Sequence, residues 1–309
     1  MDAGGSRASI RESTRAENAR AGAGLSTRVP ARGGAGGCGR GRRARLPAVQ
    51  PARSEHVYRD FDANARPSVR ALYRENHARQ TLAFVLERKQ KFLPPRRRRM
   101  SVWEAIEFLD SLVDESDPDL EASQLDHALQ TAEALRADGA APWLVLAGFV
   151  HDLGKVLCAF GEPQWAVVGD TYPVGCAFSD RVVHPELFAA NPDAADPRYA
   201  TRLGIYPEHC GLDRVHLSWG HDEYLYHVLR EHLPAPALAI IRYHSCYAVH
   251  RERAYDQLLC ARDHAQLAWV RRFNRYDLYS KSPERPDWAR LRGHYEALVA
   301  EYLPAGLWW

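Results

Sequence analysis

Trp143-Leu144-Val145-Leu146-Ala147-Gly148-Phe149-Val150-His151-Asp152-Leu153-Gly154-Lys155 is the stretch that decides the fold. Its apolar run ends at Val150, far short of the roughly 20 residues a membrane span needs. Leu144, Ala147, Gly148 and His151 recur at helical spacing. They share one face of a helix predicted from Trp143 to about Phe160, which turns His151 inward. Asp152 follows about 100° further round. An imidazole and a carboxylate buried together without partners are unstable. A metal ion bonded to both removes that penalty. Lys155, four residues after His151, is predicted on the same face; its plainer reading is an exposed lysine near a helix end.

The theme recurs along the chain. Ala237, Ile240, Ile241 and His244 form an inward stripe. His221, in Trp219-Gly220-His221-Asp222-Glu223, precedes another apolar helix. Asp277 follows Val270, Phe273 and Asn274 on one face, and His127 sits at the edge of the stripe holding Ala128 and Leu135. Taken alone, each has an ordinary explanation: a hydrogen-bonded core histidine, or Asp277 paired with Lys281. The ordered set His127, His151-Asp152, His221, His244, Asp277 does not. Imidazoles with carboxylates suit Fe, Mn, Co or Zn. The lack of cysteine in the set argues against a thiolate zinc site.

The remaining composition bounds the class. Of the chain's net +2, residues 1–50 contribute +7 from ten Arg against Asp2, Glu12 and Glu17, leaving −5 for the rest. That N-terminal stretch of Ala, Gly, Arg and Ser is predicted to be a disordered tail. Its Arg-rich, acid-poor character also suits an organelle transit peptide. The acidic remainder, 51–309, reads as a single domain without a nucleic-acid footprint. No apolar signal core is seen, so a cytoplasmic protein is expected, with an organelle as the alternative. The six scattered cysteines are expected to be free thiols. Helices are predicted at 101–113, 123–137, 143–160, 222–230, 235–245, 267–280 and 287–302. Helical spacing also links Val69, Leu72, Tyr73, Asn76 and Gln80, before Pro94 and Pro95 and the basic turn Arg96–Arg99. The fold class is therefore all-α. The long Gly- and Pro-punctuated stretch 161–213 is predicted to be functional. No dinucleotide fingerprint appears.

The order His…His-Asp…Asp is similar to the HD-domain superfamily of helical metalloproteins. Longer words are more specific: Asp114-Glu115-Ser116-Asp117-Pro118-Asp119, Gly161-Glu162-Pro163-Gln164-Trp165-Ala166-Val167-Val168-Gly169-Asp170-Thr171, Ser218-Trp219-Gly220-His221-Asp222-Glu223-Tyr224-Leu225-Tyr226 and Phe273-Asn274-Arg275-Tyr276-Asp277-Leu278-Tyr279. From about Tyr58 to Trp309 the chain resembles the myo-inositol oxygenase family. The resemblance implies an HD-domain-like helical bundle with a mixed-valent Fe(II)/Fe(III) pair. One iron would take His127, His151 and Asp277, the other His221 and His244, with Asp152 bridging. It implies substrate contacts at Arg59, Asp114, Lys155, Gly169, Asp170, Ser245 and Lys281, with Lys155 also helping a substrate hydroxyl ionise. The reaction implied is O2-dependent cleavage of the myo-inositol ring to D-glucuronate and water. A hydroxyl on every ring carbon calls for many fixed hydrogen-bond partners. A monomer with no membrane or nucleic-acid partner is expected. The runner-up is an HD-type metal-dependent phosphohydrolase, which would need Arg and Lys facing the metals to hold phosphate. A non-catalytic helical scaffold leaves the inward His and Asp set unexplained.

Overall fold

Thr81, Ser101, Ser123 and Asp287 stand where helices begin, and each side chain accepts a hydrogen bond from the backbone N–H three residues on. Each such cap stabilises its helix by about 1 kcal/mol. At Ser101 the Glu104 carboxylate accepts from the Ser101 N–H in return, closing a capping box. The computed structural model describes residues 66–116, 123–279 and 286–309. The N-terminal tail, Arg59, Asp117 and Lys281 lie outside the described residues.

The order of elements is α1 (Pro67–Arg79), α2 (Leu82–Phe92), β1 (Arg99–Met100), α3 (Val102–Asp110), α4 (Gln124–Ala137), α5 (Pro142–Val150), α6 (Pro192–Ala195), α7 (His221–Leu229), α8 (Ala235–Tyr243), α9 (Tyr247–His250), α10 (Ala261–Tyr279), α11 (Trp288–Tyr302) and β2 (Leu307–Trp308). The fold is all-α, as expected. Its two short strands pair antiparallel, Met100 opposite Leu307. The C-terminal residue is tied in as well: Trp309 is buried, its indole N–H donates to Met100 O, and its carbonyl accepts from Arg97 and Arg98 N–H.

α5 lies at the centre, packed on α4, α8 and α11, while α8 also packs on α7 and α10. Residues 144–150 are buried without exception, and Leu129, Ala132 and Leu135 of α4 meet them. Each fully buried leucine of this kind stabilises the fold by about 1.5–3 kcal/mol. By length and composition alone Pro142–Phe160 could cross a membrane (mean hydropathy 1.5). In this fold 78% of its apolar window is buried inside the protein.

Several boundaries differ from expectation. The helix predicted from Trp143 to Phe160 is two pieces: α5 ends at Val150, and Leu153–Phe160 winds as a 3-10 helix. A Cβ on Gly154 would collide with the His221 carbonyl, so the chain runs directly against α7. The tighter winding places Lys155 beside Asp152, three residues back, rather than on the His151 face. α3 ends at Asp110, not Val113: Ser111 N–H and O–H both turn to Phe108 O, and Val113 is 64% exposed. The helical pattern before Pro94 is divided by the Thr81 cap into α1 and α2. α10 begins at Ala261 instead of Leu267. The stretch 161–213 carries short 3-10 turns and α6. The five described cysteines are free thiols.

Candidate metal centre

Six side chains arrive at one cavity from four helices and the turn between α5 and the 3-10 segment. His127 comes from the first turn of α4, His151 and Asp152 from just past the end of α5, His221 from the first position of α7, His244 from the residue after α8, and Asp277 from late in α10. All line a single cavity of about 90 Å³. His151, Asp152, His221, His244 and Asp277 are buried, and His127 is half-buried.

Two ligand groups share this cavity. His127, His151 and Asp152 bring ligand atoms within 4.8 Å of one another, and so do Asp152, His221 and His244. Asp277 Oδ1 joins the first group, 3.0 Å from His127 Nε2 and 3.3 Å from His151 Nε2. Asp152 belongs to both. Its Oδ2 lies 3.5 Å from His151 Nε2, while its Oδ1 lies 3.3 Å from His221 Nε2 and 3.5 Å from His244 Nε2. Donors about 2.1 Å from a common ion stand roughly 3–3.4 Å apart at octahedral or tetrahedral angles. The observed spacings are of that size.

Protons on the imidazoles complete the test of fit. The Nδ1 atoms of His151, His221 and His244 face the carbonyls of Gly148, Val167 and Ile241 at 2.8, 2.7 and 3.1 Å. A carbonyl can only accept, so Nδ1 carries the hydrogen and Nε2 of the neutral ring is a bare lone pair. His221 Nε2 and His244 Nε2 then face each other at 3.3 Å with no hydrogen between them. Two lone pairs at that distance repel unless a cation lies between. Without a metal, a proton takes that part. Burial opposes charge on His221, but Asp222 and Asp152 outweigh it and push its pKa up to about 10. Burial likewise opposes the charge on Asp152 and Asp277, yet Lys155 and His151 hold Asp152, and His127 and His151 hold Asp277, well below the usual carboxylate range. The residues fit a pair of metal ions.

A polar rim surrounds the ligands. Lys155 Nζ is 2.8 Å from Asp114 Oδ2, 2.8 Å from Asp152 Oδ2 and 2.7 Å from Gln124 Oε1. Burial works against its charge, but Asp114 and Asp152 raise its pKa above the lysine value. Asp114 is buried, its Oδ1 accepting from the N–H and O–H of Ser116. Gly169, at φ +92°, lies against the Tyr73 ring. The Tyr73 hydroxyl donates to Asp170 Oδ1 at 3.2 Å and accepts from Asp170 N–H at 3.3 Å. Ser245 Oγ donates to Asp222 Oδ1 at 3.1 Å, and Asp222 Oδ2 accepts from Thr171.

A family model described as myo-inositol oxygenase matches residues 66–309. The chain belongs to the myo-inositol oxygenase family. Among its relatives, "Inositol oxygenase 1" of Arabidopsis thaliana is 48% identical over 262 residues, covering 82% of this chain and 84% of its own. "Inositol oxygenase" of Homo sapiens is 47% identical over 271 residues, 85% of this chain and 95% of its own. "Inositol oxygenase" of Bos taurus is 49% identical over 244 residues, 77% and 86%. The chain is thus an oxygenase, and its His and Asp groups fit a metal cofactor.

Within this family member, five of the seven expected substrate positions, Asp114, Lys155, Gly169, Asp170 and Ser245, line the same cavity as the metal groups. Arg59 and Lys281 fall outside the described residues. Three neighbours were not singled out from sequence: Tyr73, Gln124 and Asp222. Asp222 had a signal, since His221-Asp222 repeats the His-Asp pair of 151 and 152. Gln124 sits three residues before His127, on the same helical face. Tyr73 lies on the inward stripe of α1, where an aromatic reads as core.

Proposed function

We propose that this chain is a di-iron oxygenase that opens the ring of myo-inositol with one O2, giving D-glucuronate and one water. The observation that carries it is Asp152, whose two oxygens face two separate histidine groups inside a cavity rimmed by fixed hydrogen-bonding side chains. His127, His151 and Asp277 would hold one iron, His221 and His244 the other, and Asp152 both. When bound, the Fe(II)/Fe(III) pair supplies Lewis acidity toward a substrate hydroxyl and the electrons that begin O2 reduction.

The protein groups do the rest. The Ser245 proton goes to Asp222, so Ser245 turns lone pairs to the cavity and accepts from a substrate hydroxyl. Asp114 and Asp170, both buried, offer carboxylate acceptors. Lys155, charged and spent on its three partners, acts on a substrate through its positive charge, which favours ionisation of a nearby hydroxyl. Burial of the side chains around the cavity lowers the local dielectric and strengthens each of these interactions. Lys155 is the sole Lys or Arg lining the cavity among the described residues. That is poor provision for a phosphate ester and favours a neutral polyol over the phosphohydrolase reading. A cytoplasmic monomer is part of the same proposal.

Aerobic incubation of the iron-loaded protein with myo-inositol tests it. Expected are O2 uptake and D-glucuronate in equal amounts. Phosphate release from nucleotides without O2 uptake would replace this function by that of a phosphohydrolase.

A further inference from the structure

The hydrogen bonds of Lys155 determine which way Gln124 faces. An ammonium has three hydrogens and no lone pair. At Lys155 all three are matched, by Asp114 Oδ2, Asp152 Oδ2 and Gln124 Oε1. Because Nζ can only donate, the Gln124 atom in contact with it is the oxygen, which settles the orientation of the amide. The amide nitrogen is therefore turned away from Lys155. Gln124 is 1% exposed and lines the cavity. Its Nε2 is buried and has no hydrogen-bond partner among the described residues. Other described side chains also leave a buried polar atom unmatched, but Gln124 is the only such residue that lines this cavity. A buried donor left unmatched is destabilising, and an acceptor arriving with a ligand removes the penalty.

We propose that Gln124 is a specificity-determining residue whose Nε2 donates to one hydroxyl oxygen of the bound polyol, with Lys155 as the positioning residue that aims it. This rests on the polyol reading of the cavity. Ser245, whose hydrogen is committed to Asp222, accepts from the substrate; Gln124 donates to it. A donor and an acceptor at fixed places select one orientation of a ring whose hydroxyls can do either. A site built to bond a hydroxyl discriminates sharply against the analogue lacking it.

Gln124→Met keeps the length of the side chain and removes the donor. The test is anaerobic calorimetry of the metal-loaded protein with myo-inositol and with a series of mono-deoxy inositols. In the variant, affinity for myo-inositol should fall about five- to tenfold. All analogues should fall by the same factor save one, the analogue lacking the hydroxyl that faces Gln124, which should bind the variant and the unsubstituted protein equally. A uniform loss across the series, or no loss, overturns the proposal, because a structural role or a bound water on Nε2 discriminates among no analogues. Gln124→Leu, which removes the donor and puts no acceptor in its place, should show the same single exception and serves if the methionine variant fails to fold. Failure of the unsubstituted protein to bind myo-inositol at all would overturn the polyol reading and this proposal together.

Discussion

The chain carries two His-Asp pairs, 151–152 and 221–222, and they are put to different use. Both are buried, and both set a histidine Nε2 toward the cavity. Asp152 spreads its oxygens between two histidine groups and is held by Lys155. Asp222 turns one oxygen to the Ser245 hydroxyl and the other to Thr171, with its Oδ1 2.8 Å from His221 Nε2. The difference comes from the helices that present them. Residue 152 follows a helix end, where the chain turns into the space between groups. Residue 222 lies inside the first turn of α7, beside the segments carrying residues 171 and 245. The same dipeptide is thus a bridge in one place and a brace in the other.

Breaking the bridge should have the largest effect. Asp152→Ala removes the carboxylate proposed to serve both groups, so metal content should fall and O2-dependent glucuronate formation should drop about 10³-fold or more, the equivalent of several kcal/mol of charge stabilisation. Elemental analysis and an oxygen electrode read both. Removing the partner of the bridge comes next. Lys155→Met leaves Asp114 and Asp152 without their shared cation, so the metal-free protein should lose about 3–5 kcal/mol of stability in urea unfolding. Breaking the brace should do less. Asp222→Asn should weaken metal binding about 10–100-fold, as loss of an outer hydrogen-bonding partner does, while the metal count at saturation stays as in the unsubstituted protein. A lower saturating count would make Asp222 a ligand and erase the contrast.

The last effect is one of pH. The His221 pKa is raised from 6.5 to about 10 in the folded, metal-free protein. A raised pKa contributes stability that is fully present below pH 6.5 and lost as pH climbs toward 10. The depressed carboxyls Asp152, Asp222 and Asp277 work in the opposite sense, their contribution disappearing as pH falls below the ordinary carboxylate range. The Tm of metal-free protein should therefore decline from pH 7 to 10 in scanning calorimetry. Metal-loaded protein, with His221 Nε2 engaged by the ion, should lack that decline.

Much of this was legible in sequence, and the part that was not has a physical reason. The stripes ending in His151 and His244 announce inward imidazoles because period 3.6 maps spacing onto a face. The Ser101 and Ser123 caps give the starts of α3 and α4. The break after Val150 is invisible, since Leu153, Val156 and Leu157 remain as apolar as a continuing helix would require. The 3-10 segment that follows it runs with Gly154 directly against the carbonyl of His221, far along the chain. The identity of Lys155 and Gln124 says nothing of how three acceptors exhaust one and aim the other. Hydrogen-bond accounting of that kind exists only once α4, the 3-10 segment and the loop bearing Asp114 are assembled. Asp222 shows the converse, a signal present in the sequence whose role depends on Ser245 across the cavity.

Anomalous diffraction at the iron edge from iron-loaded crystals addresses the two-group arrangement directly. Two peaks are expected, one among His127, His151 and Asp277, the other between His221 and His244, with Asp152 between them. A single peak, or peaks outside this cavity, would contradict it.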